Sequence, residues 1–205
     1  MLYYRALNDK TLELLKNIQE IEIFKKLLLA GGTSLALQIG HRISVDIDLF
    51  GEINVDRIDI INELKKIGKV KTIHHTNNVN IFTVNDIKVD IVNYSYPWIQ
   101  KPLIKDNIRL ANIIDIAAMK ISAITGRGSM KDFIDLYFLL KQFSLKQMLE
   151  FYEKKYNDAS VFMALKSLTY FEDANSDIMP KMFEQISWND IKSEISVQVR
   201  GFLAD

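Results

Sequence analysis

Two acids spaced by one residue, Asp46 and Asp48, are the feature of this sequence best suited to chemistry. They alternate with the apolar Val45, Ile47 and Leu49 over residues 44–50, the two-residue period of a strand. Side chains two apart on a strand share a face, so both carboxylates project together while Val45, Ile47 and Leu49 point the other way into a core. Adjacent carboxylates repel, and a divalent cation between them relieves the repulsion. An oxygen-only ligand set without His or Cys suits Mg²⁺ or Mn²⁺. Two such ions ~3.5–4 Å apart can hold the attacking and leaving oxygens of an in-line displacement. Asp90, flanked by Val89 and Ile91, supplies a third carboxylate if its strand runs beside the first. It can then ligate the ion that activates an acceptor hydroxyl, or take the proton of that hydroxyl. By itself an Asp-x-Asp strand reads equally well as solvent-facing acids on the open side of a sheet.

Candidate anion-binding groups surround these acids in the sequence. Gly31, Gly32 and Thr33 follow the apolar run 27–30 and precede a short helix-like segment, 34–39. Backbone amides at such a turn, with the helix dipole and the Thr33 hydroxyl, can cradle a phosphate. An ordinary turn capped by Thr33 or Ser34 is the competing reading. Arg42 can reach a phosphate, brace the acidic strand, or form a surface ion pair. Lys120 lies among Ala117, Ala118, Met119 and Ile121, where it either snorkels or points its charge at a triphosphate. Arg127, between Gly126 and Gly128, is a second cation. Ser129, Met130, Lys131 and Asp132 have the form of a capping box, with Ser129 as N-cap and Asp132 three residues on. Asp132 and Asp135 share one helical face, which favours a solvent-facing or ion-paired role. His74 and His75 are adjacent on a strand, face opposite ways, and make a poor metal pair.

The elements that must position these groups differ between the two halves. A helix capped by Asn8, a short strand over 27–30, the acidic strand, a helix over 56–67 and strands over 69–74, 80–84 and 88–92 make a mixed first half, with Asn85 and Asp86 as a hairpin turn. Pro97 and Pro102 punctuate a junction. Beyond it helices are predicted over 115–124, 129–143, 145–155, 159–171 and 189–202. The reading is α+β: a mixed β-sheet core with flanking helices over 1–100, then a helical domain over 101–205. Acidic and basic side chains balance at 26 each, which argues against wrapping long nucleic acid by bulk charge and leaves room for a local basic pocket. The absence of cysteine excludes disulfides and thiolate sites. No stretch approaches the ~20 apolar residues of a membrane helix, so a soluble, cytoplasmic chain with no membrane partner is expected.

In this order the segments resemble a known family. Gly31-Gly-Thr-Ser-Leu-Ala-Leu37, with His41-Arg-Ile-Ser-Val-Asp-Ile-Asp-Leu-Phe50, is similar to the first motif of the AbiEii/AbiGii nucleotidyltransferases, of the DNA polymerase β-like nucleotidyltransferase superfamily. Val89-Asp-Ile91 matches the second acidic motif, 120–127 the lysine–arginine helix, and Lys131-Asp-Phe-Ile-Asp-Leu-Tyr137 the closing motif. The resemblance implies a nucleotidyltransferase core, with the helical part closing a nucleotide cleft. It implies Mg²⁺ or Mn²⁺ on Asp46, Asp48 and Asp90, with Asp90 as a candidate base. Gly31, Gly32, Thr33, Arg42, Lys120, Arg127 and Lys131 would contact the NTP, and Asp132 would orient or activate the acceptor. The implied activity is transfer of NMP from an NTP to an acceptor hydroxyl, such as a tRNA or other RNA end, by a toxin with a cognate antitoxin. Some members are known only to bind nucleotide, so the alternative is a catalytically silent toxin or regulatory domain acting through a protein partner. The sequence departs from the family in its short helical part and in Ser129, where an arginine often precedes the closing lysine by two residues.

Overall fold

The structure is a computed structural model that describes residues 1–204. Asn8 opens the first helix as its type suggests: its side chain accepts from the Thr11 amide at 2.8 Å, and α1 follows over Asp9–Glu20. Then come β1 (Leu28–Leu29), α2 (Gly31–Ile39), β2 (Ile47–Gly51), α3 (Arg57–Lys65), β3 (Val70–His75), β4 (Val79–Val84) and β5 (Ile87–Asn93). A hairpin of β6 (Leu103–Lys105) and β7 (Ile108–Leu110) completes the strands. Among the described residues these form one mixed sheet in the order β3-β4-β5-β2-β1-β7-β6. In it β2 runs parallel to β5 and antiparallel to β1. Ile47, Leu49, Phe82, Val89, Ile91 and Leu110 are fully buried and anchor its core.

The tight turn at Asn85-Asp86 forms as its residue types predict, with φ of 50° and 65°. Both angles are in the left-handed region that Asn and Asp tolerate and that matches the twist of a hairpin. Asp106-Asn107, at 51° and 63°, repeats the device between β6 and β7, a hairpin the sequence reading does not anticipate.

Two local differences bear on the site. The acidic strand begins at Ile47, so Asp46 lies just ahead of it, and Val45 is 47% exposed rather than turned into the core. The reason is a competing hydrogen bond: the Asp46 carbonyl is taken by the Thr33 hydroxyl instead of a strand partner. The helix expected from residue 34 starts earlier, at Gly31, so the Gly-Gly-Thr triplet is itself the helix's first turn.

The chain divides into two compact units. The first comprises 1–95 with 102–111, and the second 96–101 with everything from 112 onward. The sequence suggests a division at 100/101. The hairpin stays with the sheet because β7 pairs in parallel with β1, Leu29 opposite Leu110, and the Ala111 amide donates to the Leu29 carbonyl at 2.8 Å.

The second unit is helical: α4 (Ile113–Gly126), α5 (Met130–Leu140), α6 (Leu145–Lys155), α7 (Val161–Leu168) and α8 (Trp188–Ala204). α4 packs on α5, α6 and α7, burying Ile116, Ile121, Phe133, Leu136 and Met148. Segment 96–101 is fastened to it by a fully buried ion pair. Lys155 Nζ lies 2.7 Å from Asp115 Oδ1 and 2.9 Å from the Pro97 carbonyl. Asp115 also accepts from the Ile99 and Gln100 amides at 2.8 and 3.1 Å.

Candidate active site

In the first unit, the parallel pairing of β2 with β5 sets Asp48 directly opposite Asp90. Paired residues on neighbouring strands project to the same side of a sheet, so the two carboxylates share a face. Their strand neighbours Ile47, Leu49, Val89 and Ile91 are buried on the other side. Asp90 Oδ2 accepts from Lys88 Nζ at 2.5 Å. Asp90 Oδ1 is buried and has no hydrogen-bond partner. Lys88 is absent from the sequence reading, although its i, i+2 spacing from Asp90 on one strand was the available signal.

The start of α2 lies against Asp48. Gly31 has φ +63°, and a Cβ placed there would collide with Asp48 Oδ2, so only glycine lets the helix come this close. The N-cap residue, Ala30, has no side chain to cap the first-turn amides, which makes this end suited to an anion. Thr33 is buried, and its hydroxyl hydrogen-bonds the Ser44 hydroxyl at 2.8 Å as well as the Asp46 carbonyl. It therefore ties the segment bearing Asp46 to the helix. Arg42 is buried rather than surface-exposed, and its guanidinium donates to the Ile43 carbonyl at 3.2 Å.

An all-oxygen pair with one buried, unpartnered carboxylate oxygen fits a hard divalent cation. Mg²⁺ in particular is commonly held by one or two carboxylates plus substrate phosphates and water. The structure brings Asp48 and Asp90 together in register. Among the described residues no group of three or more His, Asp or Glu side chains is gathered into a cage.

The second unit carries a separate charge network. Lys120, on α4, is buried and meets two α5 carboxylates: Asp132 Oδ1 at 2.9 Å and Asp135 Oδ2 at 2.6 Å. Asp132 Oδ2 also accepts from Ser129 Oγ at 2.7 Å and Arg127 Nε at 3.2 Å. Burial pushes the Asp132 carboxyl up, but Lys120, Arg127 and the Ser129 hydroxyl outweigh it and hold the pKa down at about 2. Asp132 and Asp135 are thus interior, not solvent-facing, and the i, i+3 spacing that set them on one face aims both at one lysine. The capping box does not form. Ser129 occupies the N-cap position, yet its hydroxyl binds the Asp132 carboxylate, and the Met130 amide is met instead by Asp177 Oδ2 at 2.9 Å. Lys131 is exposed on α5.

The model of the AbiEii nucleotidyl transferase toxin family, of type IV toxin–antitoxin systems, matches residues 13–200. The chain belongs to this family. It is accordingly a nucleotidyltransferase of a toxin family. The Aquifex aeolicus (strain VF5) protein described as uncharacterized protein aq_aa25 is 34% identical over 97% of this chain and 98% of its own. A Helicobacter pylori crystal structure described as a candidate nucleotidyltransferase aligns with a TM-score of 0.62 at 17% identity, covering 94% of each chain. MenT4, the nucleotidyltransferase toxin Rv2826c of Mycobacterium tuberculosis H37Rv, aligns at 0.57 and 12% identity over 91% of this chain and 80% of its own. At such identities the structural likenesses establish the fold, and the family match carries the activity. Among the described residues no helix is long and apolar enough to cross a membrane.

Proposed function

We propose that this chain transfers a nucleotidyl group from an NTP, taken as its Mg²⁺ or Mn²⁺ complex, to a hydroxyl at an RNA end, with tRNA as one candidate acceptor. The acceptor oxygen attacks the α-phosphorus, the bond to the bridging oxygen of pyrophosphate breaks, and pyrophosphate leaves with that electron pair. The acceptor proton passes to a carboxylate, for which Asp90 is the candidate, or to water. When bound, the divalent ion supplies neutralisation of phosphate charge and a fixed position for the reacting oxygens.

The observation that carries this reading is the registered Asp48–Asp90 pair, with its unpartnered Asp90 oxygen. Asp48 and Asp90 hold the cation and Asp46 joins them. The first-turn amides of Gly31, Gly32 and Thr33 take the triphosphate, and Arg42 braces that region. On the helical unit the exposed Arg127 and Lys131 offer charge to phosphates. Lys120, enclosed by two carboxylates, acts by positioning. Asp132, ionised throughout the neutral range, orients Lys120 and Arg127 rather than accepting a proton. In the cell this activity would be that of a toxin controlled by a cognate antitoxin.

The test is incubation with each α-labelled NTP, Mg²⁺ or Mn²⁺, and total RNA, beside an Asp46→Asn/Asp48→Asn double variant. Label in RNA that disappears in the variant is the expected result. NTP binding with no transfer to any RNA would sink the proposal and favour a silent nucleotide-binding toxin or regulatory domain acting through a protein partner.

A further inference from the structure

A concavity lies within the helical unit. The Gly126–Gly128 turn that follows α4 forms one wall, and the end of α7 with the residues after it forms the other. Thr125, Arg127, Ser167, Tyr170 and Asp173 line a cavity of about 210 Å³. Drug-sized ligands occupy roughly 300–1,000 Å³, so this space suits one planar fragment rather than a whole nucleotide.

The lining has the chemistry of base recognition. Phe171 turns inward, where its ring packs on Phe133 at 4.9 Å and Trp188 at 5.9 Å. Its neighbour Tyr170 is 54% exposed at the cavity. The Arg127 side chain is 74% exposed, with Nε held 3.2 Å from Asp132 Oδ2. A tyrosine ring and a guanidinium plane are both surfaces on which unpaired bases stack. Asp173 adds a carboxylate, an acceptor for the amino or imino edge of a base. Thr125 has already spent its proton on the Ile121 carbonyl at 2.9 Å, so its hydroxyl can only accept.

We infer that this cavity is a subsite for one unpaired nucleobase of the RNA acceptor, an inference that rests on the nucleotidyl transfer to RNA proposed above. The Asp173 carboxylate accepts an N–H from the edge of the base. Arg127 links the subsite to the charge network, because the Asp132 carboxylate that receives Lys120 also steadies its guanidinium.

The experiment uses the full chain and a fluorescent single-stranded RNA pool, with affinity read by anisotropy and transfer read as kcat and KM for RNA and for NTP. Tyr170→Ala is expected to weaken RNA affinity about 5- to 150-fold, the range for loss of one stacked base, and to leave the KM for NTP unchanged. Tyr170→Phe, which keeps the ring, is expected to bind as the wild type does. Unchanged RNA affinity in a folded Tyr170→Ala variant overturns the inference. So does a Phe variant as weak as Ala, or an effect that falls on the KM for NTP, which would place the NTP's own base there. A wild type that binds RNA through Tyr170 but transfers nothing upholds the subsite and sinks the transfer reading.

Discussion

Asp132 offers a quantitative test of the helical unit's charge network. Its carboxyl is 1% exposed, 2.9 Å from the Lys120 ammonium and 2.7 Å from the Ser129 hydroxyl. These partners lower its pKa from the ordinary 3.8 to about 2 in the folded state. A depressed carboxylate contributes stability that is full above the unfolded value and fades as pH falls from about 4 toward 2. At about 1.4 kcal/mol per pH unit, the contribution near neutrality is about 2–3 kcal/mol. Asp132→Asn keeps the shape and removes the charge, while Asp135 still pairs with Lys120. Urea unfolding followed by circular dichroism should show the variant less stable by that amount at about pH 7. The gap should narrow on acidification below about pH 4. A variant as stable as wild type at neutral pH, or a gap that persists unchanged into acid, would show that the Asp132 charge does not stabilise the fold.

Lys155→Met leaves the fully buried Asp115 carboxylate with only two backbone amides, and should cost about 3–5 kcal/mol by the same unfolding measurement. Adding Asp115→Asn to it should recover part of that loss. Gly31→Ala forces a side chain into the left-handed region and into Asp48, so a loss of at least about 1–2 kcal/mol and a drop in kcat are expected from melting and transfer assays. Thr33→Val strands the Ser44 hydroxyl and the Asp46 carbonyl, and should cost about 1–3 kcal/mol. Its kcat should fall more than its affinity for NTP changes, because Asp46 loses its tether.

Short-range pattern made the site's local pieces legible. The period-two alternation identified Ile47 and Leu49 as core and Asp48 as facing away from it, and Asn8 and Asn85-Asp86 announced a helix start and a turn. What depends on distant partners was not legible. Strand order is a long-range property, so the adjacency of Asp90 to Asp48 rested on resemblance until the parallel register placed them opposite each other. The exposure of Val45 has a similarly distant cause: a threonine thirteen residues upstream of Asp46 takes the carbonyl that a continuing strand would use. The hairpin over 103–110 was hidden by Lys105, Asp106 and Arg109, which interrupt its apolar pattern. The Asp115–Lys155 pair, forty residues apart, leaves no local trace. The facing of Asp132 and Asp135 was readable from their spacing, but their burial was not, because it requires knowing that α4 delivers Lys120 to them.

In the proposed site Asp48 and Asp90, with Asp46, hold the divalent ion of nucleotidyl transfer. The most direct measurement is Mn²⁺ binding by electron paramagnetic resonance, with a non-hydrolysable NTP present, for the wild type and for Asp48→Asn and Asp90→Asn. Wild type is expected to bind Mn²⁺, and each variant to lose more than the roughly 10–100-fold affinity that removal of an outer-shell partner costs. Variants that bind Mn²⁺ as tightly as wild type would rule out these carboxylates as its ligands.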